Sequence, residues 1–163
     1  MVAILEIDQT APGFSLRVID DKIYALNQHD ARLTLVVFFK TTCPTCMLAF
    51  PYIEKIQRAY RDAGLAVWGI AQDAREPSAE FARAYGATFA ILTDADLRVA
   101  RVYDPEFVPT TFLIDRAGKI IERVIAFNKI ELNRVAKVIA EKLNAPVVLT
   151  APDNDGNPPF KPG

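Results

Sequence analysis

The sequence predicts an α/β fold, a central mixed β-sheet flanked by helices. Three observations predict it. First, Leu33-Thr-Leu-Val-Val-Phe-Phe39 is an almost continuous apolar run, as suits a central strand buried on both faces. Second, strand-like runs after it alternate with stretches of helical period, which implies βαβ units, parallel pairing and helices on the sheet faces. Third, Thr110-Thr-Phe-Leu-Ile-Asp115 and Lys119-Ile-Ile-Glu-Arg-Val-Ile-Ala126 flank the turn residues Arg116-Ala-Gly118, so an antiparallel hairpin closes the sheet. The expected order is β-β, then β-α-β-α-β-α, then β-β-α: a sheet with an N-terminal β extension and an inserted βα element.

Each element has its own signal. Phe14-Ser-Leu-Arg-Val-Ile19 alternates apolar and polar residues, Asp20-Asp21 turns the chain, and Lys22-Ile-Tyr-Ala-Leu26 gives a second short strand. After the strand 33–39, Pro44 fits a first helical position, where its missing N–H costs nothing. Met47, Phe50, Ile53, Ile56, Gln57 and Tyr60 then recur at helical spacing until Gly64. Pro51 is expected to kink that helix. Leu65–Ala71 reads as a strand, Pro77–Tyr85 as a helix ended by Gly86, Phe89–Leu92 as a short strand and Leu97–Tyr103 as a short helix. Asn128 caps a last helix through Leu143. Beyond Ala145 the chain carries five of its eleven prolines among Asp, Asn and Gly. The expectation is one domain over 1–145 and a flexible tail over 146–163.

Composition narrows the function classes. The 163 residues suffice for one domain with a sizeable core. A net charge of -1 points neither to nucleic acid nor to an anionic membrane. No apolar run reaches the roughly 18 residues of a spanning helix. Met1-Val-Ala-Ile-Leu-Glu-Ile-Asp8 has no basic leader region, so a cytoplasmic location is expected if Met1 is the true start.

There are two cysteines, three positions apart: Cys43-Pro44-Thr45-Cys46. Closing so short a loop constrains the unfolded chain very little, so the pair is there for reactivity rather than as a staple. Its place between a buried strand and a helix puts Cys43 at the helix N-terminus, where unpaired N–H groups and the dipole favour negative charge. The thiolate is the attacking species in disulfide exchange. Cys43 is therefore the expected nucleophile. Cys46, one turn on, faces the same side and can resolve a mixed disulfide. Lys40 could add a nearby positive charge, or be a solvated lysine at a strand end. The alternatives are half a zinc site and two inert core cysteines. Zinc usually needs two such pairs or two histidines, and the one histidine here, His29, sits in a distant polar turn.

At these residues the chain resembles a known family. Thr41-Thr-Cys-Pro-Thr-Cys46 after Val36-Val-Phe-Phe39 resembles the active-site segment of thioredoxin-like proteins. Gln9-Thr-Ala-Pro-Gly-Phe-Ser-Leu16 resembles the opening of the redoxin and TlpA-like branch, related to AhpC/TSA proteins. Val108-Pro-Thr-Thr-Phe-Leu-Ile-Asp115 with Gly118 resembles that branch's cis-proline strand and hairpin. The resemblance runs from about residue 8 to 143. It implies a thioredoxin fold and a thiol–disulfide oxidoreductase whose only redox group is the Cys43–Cys46 pair. The implied partners are a protein disulfide or dithiol and a thiol electron donor, with no metal. It implies that Pro109 is cis and faces the cysteines, that Val108 pairs its backbone with an extended substrate, and that Thr110 helps shape the site with Thr42, Pro44 and Thr45. A buried acid assisting the second cysteine is expected too; Asp73 is the candidate, Glu80 a weaker one.

The chain departs from the pattern in places. Thr42 stands where a Trp is usual, and Met47 and Ala49 replace basic and acidic residues, so the partner-facing surface is expected to be more apolar. Two other functions compete. In a peroxiredoxin-like peroxidase, the peroxidatic cysteine follows a threonine by three positions; here Cys43 takes the threonine's place before Cys46, and Arg123 is a weak stand-in for the peroxidase arginine. A non-catalytic binding module is the other. Trp68, Phe81 and Tyr85 read as core. Asp153-Asn-Asp-Gly-Asn157 resembles the start of a calcium loop without its full ligand pattern.

Overall fold

The computed structural model of the chain describes residues 5–163. The first half of the Met1–Asp8 leader reading lies outside the described residues. Strands β1 (Ser15–Val18), β2 (Ile23–Ala25) and β3 (Leu33–Phe39) lead into helix α1 (Pro44–Tyr60) and a 3-10 turn over Arg61–Ala63. There follow β4 (Leu65–Ala71), α2 (Arg75–Ala84), β5 (Ala90–Thr93) and α3 (Arg98–Tyr103). The chain continues through β6 (Thr110–Asp115), β7 (Ile120–Ile125), β8 (Phe127–Asn128), α4 (Lys129–Leu143) and β9 (Phe160–Lys161). None of these helices is long and apolar enough to cross a membrane.

Seven strands form one mixed sheet in the order β2-β1-β5-β4-β3-β6-β7. β3, β4 and β5 are parallel, while β1, β2, β6 and β7 join antiparallel. This is the thioredoxin fold that the alternation of elements and the resemblance imply. β3 is central, and all seven of its residues are buried. Its alternate side chains serve two cores. Leu35, Val37 and Phe39 pack with Phe50 and Ile53 of α1 and Val135 and Ile139 of α4. Val36 and Phe38 pack with Trp68, Tyr103 and Phe112 on the other face.

The register places the site. Phe38, next to last in β3, pairs with Thr110, the first residue of β6. The loop leaving β3 therefore meets the loop entering β6. Both lie beyond the carboxyl end of β3, where open α/β sheets hold their ligands.

Local differences from the sequence reading have simple causes. α2 starts at Arg75 rather than Pro77, because a proline in a first turn gives up an N–H that has no helical partner. α1 is a single helix through Pro51, whose ring lies on its exposed side. α3, only six residues long, is held by Asp94. Its carboxylate is 1% exposed and accepts the N–H groups of Val99 (3.1 Å) and Ala100 (2.8 Å). Asp94→Ala leaves two buried donors unpaired and should cost about 3 kcal/mol. Urea melts would read this; an unchanged midpoint refutes it.

The largest difference concerns 146–163, expected as a flexible tail. In the structure this segment is docked along α1 and α4. The Tyr60 hydroxyl donates to Pro146 O (3.2 Å) and accepts from Val148 N (2.9 Å). Asn133 and Ala151 exchange two hydrogen bonds, at 2.8 and 2.9 Å. Thr150 and Ala151 are buried. The buried ammonium of Lys129 donates to Pro152 O, Asp155 Oδ1 and Asn157 O. β9 then pairs antiparallel with β8. Composition misled because the segment has no helical or strand period of its own. It is ordered by side chains that precede it in the chain.

Candidate dithiol site

Cys43 is the N-cap of α1, with extended backbone, and its Sγ accepts the N–H of Cys46 at 3.1 Å. That N–H belongs to the first turn and would otherwise lack a partner. The Cys43 N–H donates to Lys40 O at 3.3 Å, and Cys43 O accepts from Met47 N at 3.1 Å. Pro44 occupies the first helical position, as its fixed φ favours. Both thiols are free. They are unequal: Cys43 is half-buried, while Cys46 is 0% exposed. Burial, first, and the hydrogen bond it shares with Cys43, second, push the Cys46 thiol far above its usual range.

The Val108–Pro109 peptide bond is cis. Val108 O lies 3.4 Å from Cys43 Sγ and accepts its S–H. The Thr110 hydroxyl donates to Phe107 O at 2.5 Å, and Ala126 N donates to Pro109 O at 2.8 Å. These two bonds tie the proline loop to β6 and to the end of β7. The structure thus brings Cys43, Cys46, Pro44, Thr45, Val108, Pro109 and Thr110 together.

Lys40 and Thr42 sit at the rim: the Lys40 side chain is exposed, and its part in the loop is its backbone carbonyl. Asp73 follows β4, and its Oδ2 accepts the Thr41 N–H at 2.7 Å. It fixes the loop that carries the cysteines. Glu80 is exposed on α2 and lines a shallow cleft with Thr41 and Met47. Arg123 donates to Leu5 O at 2.9 Å. His29 packs on Trp68 at 4.7 Å and shares a 3.2 Å contact with Thr34 Oγ1; partial burial lowers its pKa. Trp68 and Phe81 are buried, and Tyr85 packs against Phe81.

Sequence reasoning missed one contact. The Thr45 hydroxyl, inside the cysteine loop, donates to Pro162 O at 2.5 Å. No local signal reveals it, because the partner lies 117 residues away.

The geometry agrees with what the chain is similar to. The model of the AhpC/TSA family matches residues 7–123. The chain belongs to the AhpC/TSA family. Among curated relatives, thiol-disulfide oxidoreductase ResA of Bacillus thuringiensis (strain Al Hakam) is 28% identical over 124 residues, covering 74% of this chain and 70% of the relative. ResA of Geobacillus thermodenitrificans (strain NG80-2) is 30% identical over 117 residues, covering 70% and 66%. Among solved structures, a putative protein disulfide isomerase from Bacteroides thetaiotaomicron superposes with a TM-score of 0.80 at 26% identity, covering 86% of this chain and 92% of that one. A putative thiol:disulfide interchange protein DsbE from Chlorobium tepidum gives 0.78 at 24%, covering 85% and 99%, a likeness of fold. Within the family, this chain is a thioredoxin-like thiol–disulfide oxidoreductase.

Proposed function

We propose that the chain exchanges disulfides with protein substrates, with Cys43 as nucleophile and Cys46 as the resolving thiol. The inequality of the two sulfurs carries this reading. Cys43 is reachable and has the Cys46 N–H aimed at its sulfur, where thiolate charge would sit. Cys46 is enclosed and held protonated by burial. The Cys43 thiolate attacks one sulfur of a client disulfide; that S–S bond breaks, and the other client sulfur leaves as a thiolate and takes up a proton. Cys46 then loses its proton, attacks Cys43 Sγ and expels the second client thiolate. Two electrons pass to the client, and the Cys43–Cys46 pair becomes a disulfide that a thiol donor must reduce. Val108, whose carbonyl already sits 3.4 Å from Cys43 Sγ, would offer its backbone to the client chain. In a reducing compartment such as the cytoplasm the favoured direction is reduction of the client.

The burial of Cys46 also speaks against peroxide reduction there, since a peroxidatic thiolate has to be reached. The reading is tested by dithiothreitol-driven insulin reduction. The unaltered protein should accelerate insulin precipitation and Cys43→Ser should not. Equal rates for the two would end the enzyme proposal.

A further inference from the structure

The segment 146–163 runs along one side of α1 from end to end. It meets Tyr60 through Pro146 and Val148, Tyr52 through Asp155 and Asn157, and Thr45 through Pro162. Those contacts fall on helix positions eight and seven residues apart, about two turns each, so they share a face. The run ends at the dithiol. Pro162 O takes the hydroxyl of Thr45, between the two cysteines in sequence. Gly163 lies against the proline loop so closely that a Cβ there would stand 2.6 Å from Val108 O and 2.8 Å from Phe107 Cβ.

We propose that residues 160–163 are a strap that selects substrates by size: small disulfides reach Cys43 with the strap down, and protein disulfides react only when it lifts. The proposal rests on the dithiol reading above. Val108 O is the group that an extended client chain would approach, and Gly163 covers it. Cys43 itself remains half-buried, so a small disulfide still has access.

The strap has a firm root and a loose end. The root is gripped by the buried Lys129, which takes three oxygens from 152–157. The end is held by a two-residue strand pair, the bond from Lys129 N to Pro159 O (2.9 Å) and the Thr45 contact. Phe160 at the end is 54% exposed, and Pro162 and Gly163 are exposed. A segment with few buried apolar contacts opens locally without unfolding what anchors it. With the end in place, Phe107, Arg123, Ile125, Phe160 and Pro162 frame a cleft of about 350 Å³ beside the loop.

The test uses the whole 163-residue chain in three forms: unaltered, Gly163→Leu, and with Pro158–Gly163 replaced by glycine and serine. Each is reduced, freed of reductant and mixed with either bis(2-hydroxyethyl) disulfide or insulin. Oxidation of the Cys43–Cys46 pair is followed in a single turnover by thiol labelling. Both altered forms should react with insulin at least 5-fold faster than the unaltered protein, and with the small disulfide at a rate within 2-fold of it. Unchanged insulin rates, with the small disulfide still reacting at Cys43, overturn the strap and leave the dithiol reading standing. Equal acceleration of both substrates overturns it too, since that would be a change in sulfur reactivity. If neither disulfide oxidises any form, the dithiol reading fails and the strap with it. Should the glycine–serine form lose its native thermal transition, Gly163→Leu decides alone, because it alters one exposed residue.

Discussion

Cys46→Ser is expected to halt turnover and leave the client attached to Cys43. Attack requires only the reachable sulfur at the head of α1, which this substitution leaves in place. Release requires the Sγ that it removes. Incubated with insulin, Cys46→Ser should therefore accumulate a mixed disulfide visible on a non-reducing gel, and its turnover should fall about 100-fold or more, since the resolving attack is lost. Cys43→Ser should form no adduct, because the remaining thiol is 0% exposed. Iodoacetamide offers a second reading of the same inequality. At pH 7–8 the single thiol of Cys46→Ser should be alkylated about 100-fold faster than that of Cys43→Ser, because alkylation follows exposure and thiolate fraction. The pH sign follows from burial, the largest cause of the raised Cys46 value, which persists when Cys43 is tied up in a mixed disulfide. Resolution should accelerate as pH rises. Comparable alkylation of the two variants would reverse the assigned roles.

How much of this was legible in the sequence depends on where each signal lives. β3, β4 and β6 match their expected bounds because each is a dense apolar run ended by a turn or breaker, and burial on both faces leaves no other pattern. The end of α4 and its cap were legible for a similar reason: Asn128 accepts the Glu131 N–H, as a cap residue does. The dithiol was legible because it needs only two residues and their place after a strand. The cis bond before Pro109 came through the resemblance. Asp73 is expected as an acid assisting the second cysteine; the partner the structure gives it is a backbone N–H of the cysteine loop, which no spacing rule shows.

The docked segment was not legible, and composition pointed the wrong way. Prolines and turn formers lack the periodicity that marks a packed element, yet they do not prevent packing when polar side chains elsewhere supply the partners. The Asp153–Asn157 run illustrates this. Its likeness to a calcium loop reflects a tight turn of oxygen-bearing residues, and the cation that Asp155 meets is Lys129, 26 residues earlier. A lysine at the start of a helix reads as a solvated residue from sequence alone, so its burial carried no signal.

Lys129→Met should be strongly destabilising. The Lys129 side chain is 1% exposed, and lysine is almost never so buried unless paired. Its Nζ lies 3.0 Å from Pro152 O, 2.5 Å from Asp155 Oδ1 and 2.9 Å from Asn157 O. Methionine fills much of the same space but donates nothing. Replacing a whole buried ion pair by apolar groups can be neutral, but removing one partner strands the other, and here Pro152 O and Asn157 O lose their donor while the Asp155 carboxylate loses its cation and keeps only the Asn157 N–H and the Tyr52 hydroxyl. The loss should be about 3 kcal/mol. For a chain of this size that lowers Tm by about 6–12 °C. Asp155→Asn keeps the shape and should lose less. The hydrogen bonds from Lys129, first, and Tyr52 hold the Asp155 carboxyl well below the usual carboxylate range. A depressed value stabilises the fold above the unfolded pKa, near 4, and that contribution fades as pH falls below it. The Tm gap between the unaltered protein and Asp155→Asn should thus be open at pH 7 and begin to narrow only as pH falls below about 4. Melts of Lys129→Met that overlay the unaltered protein at pH 7 would show that the buried ammonium does not anchor the segment.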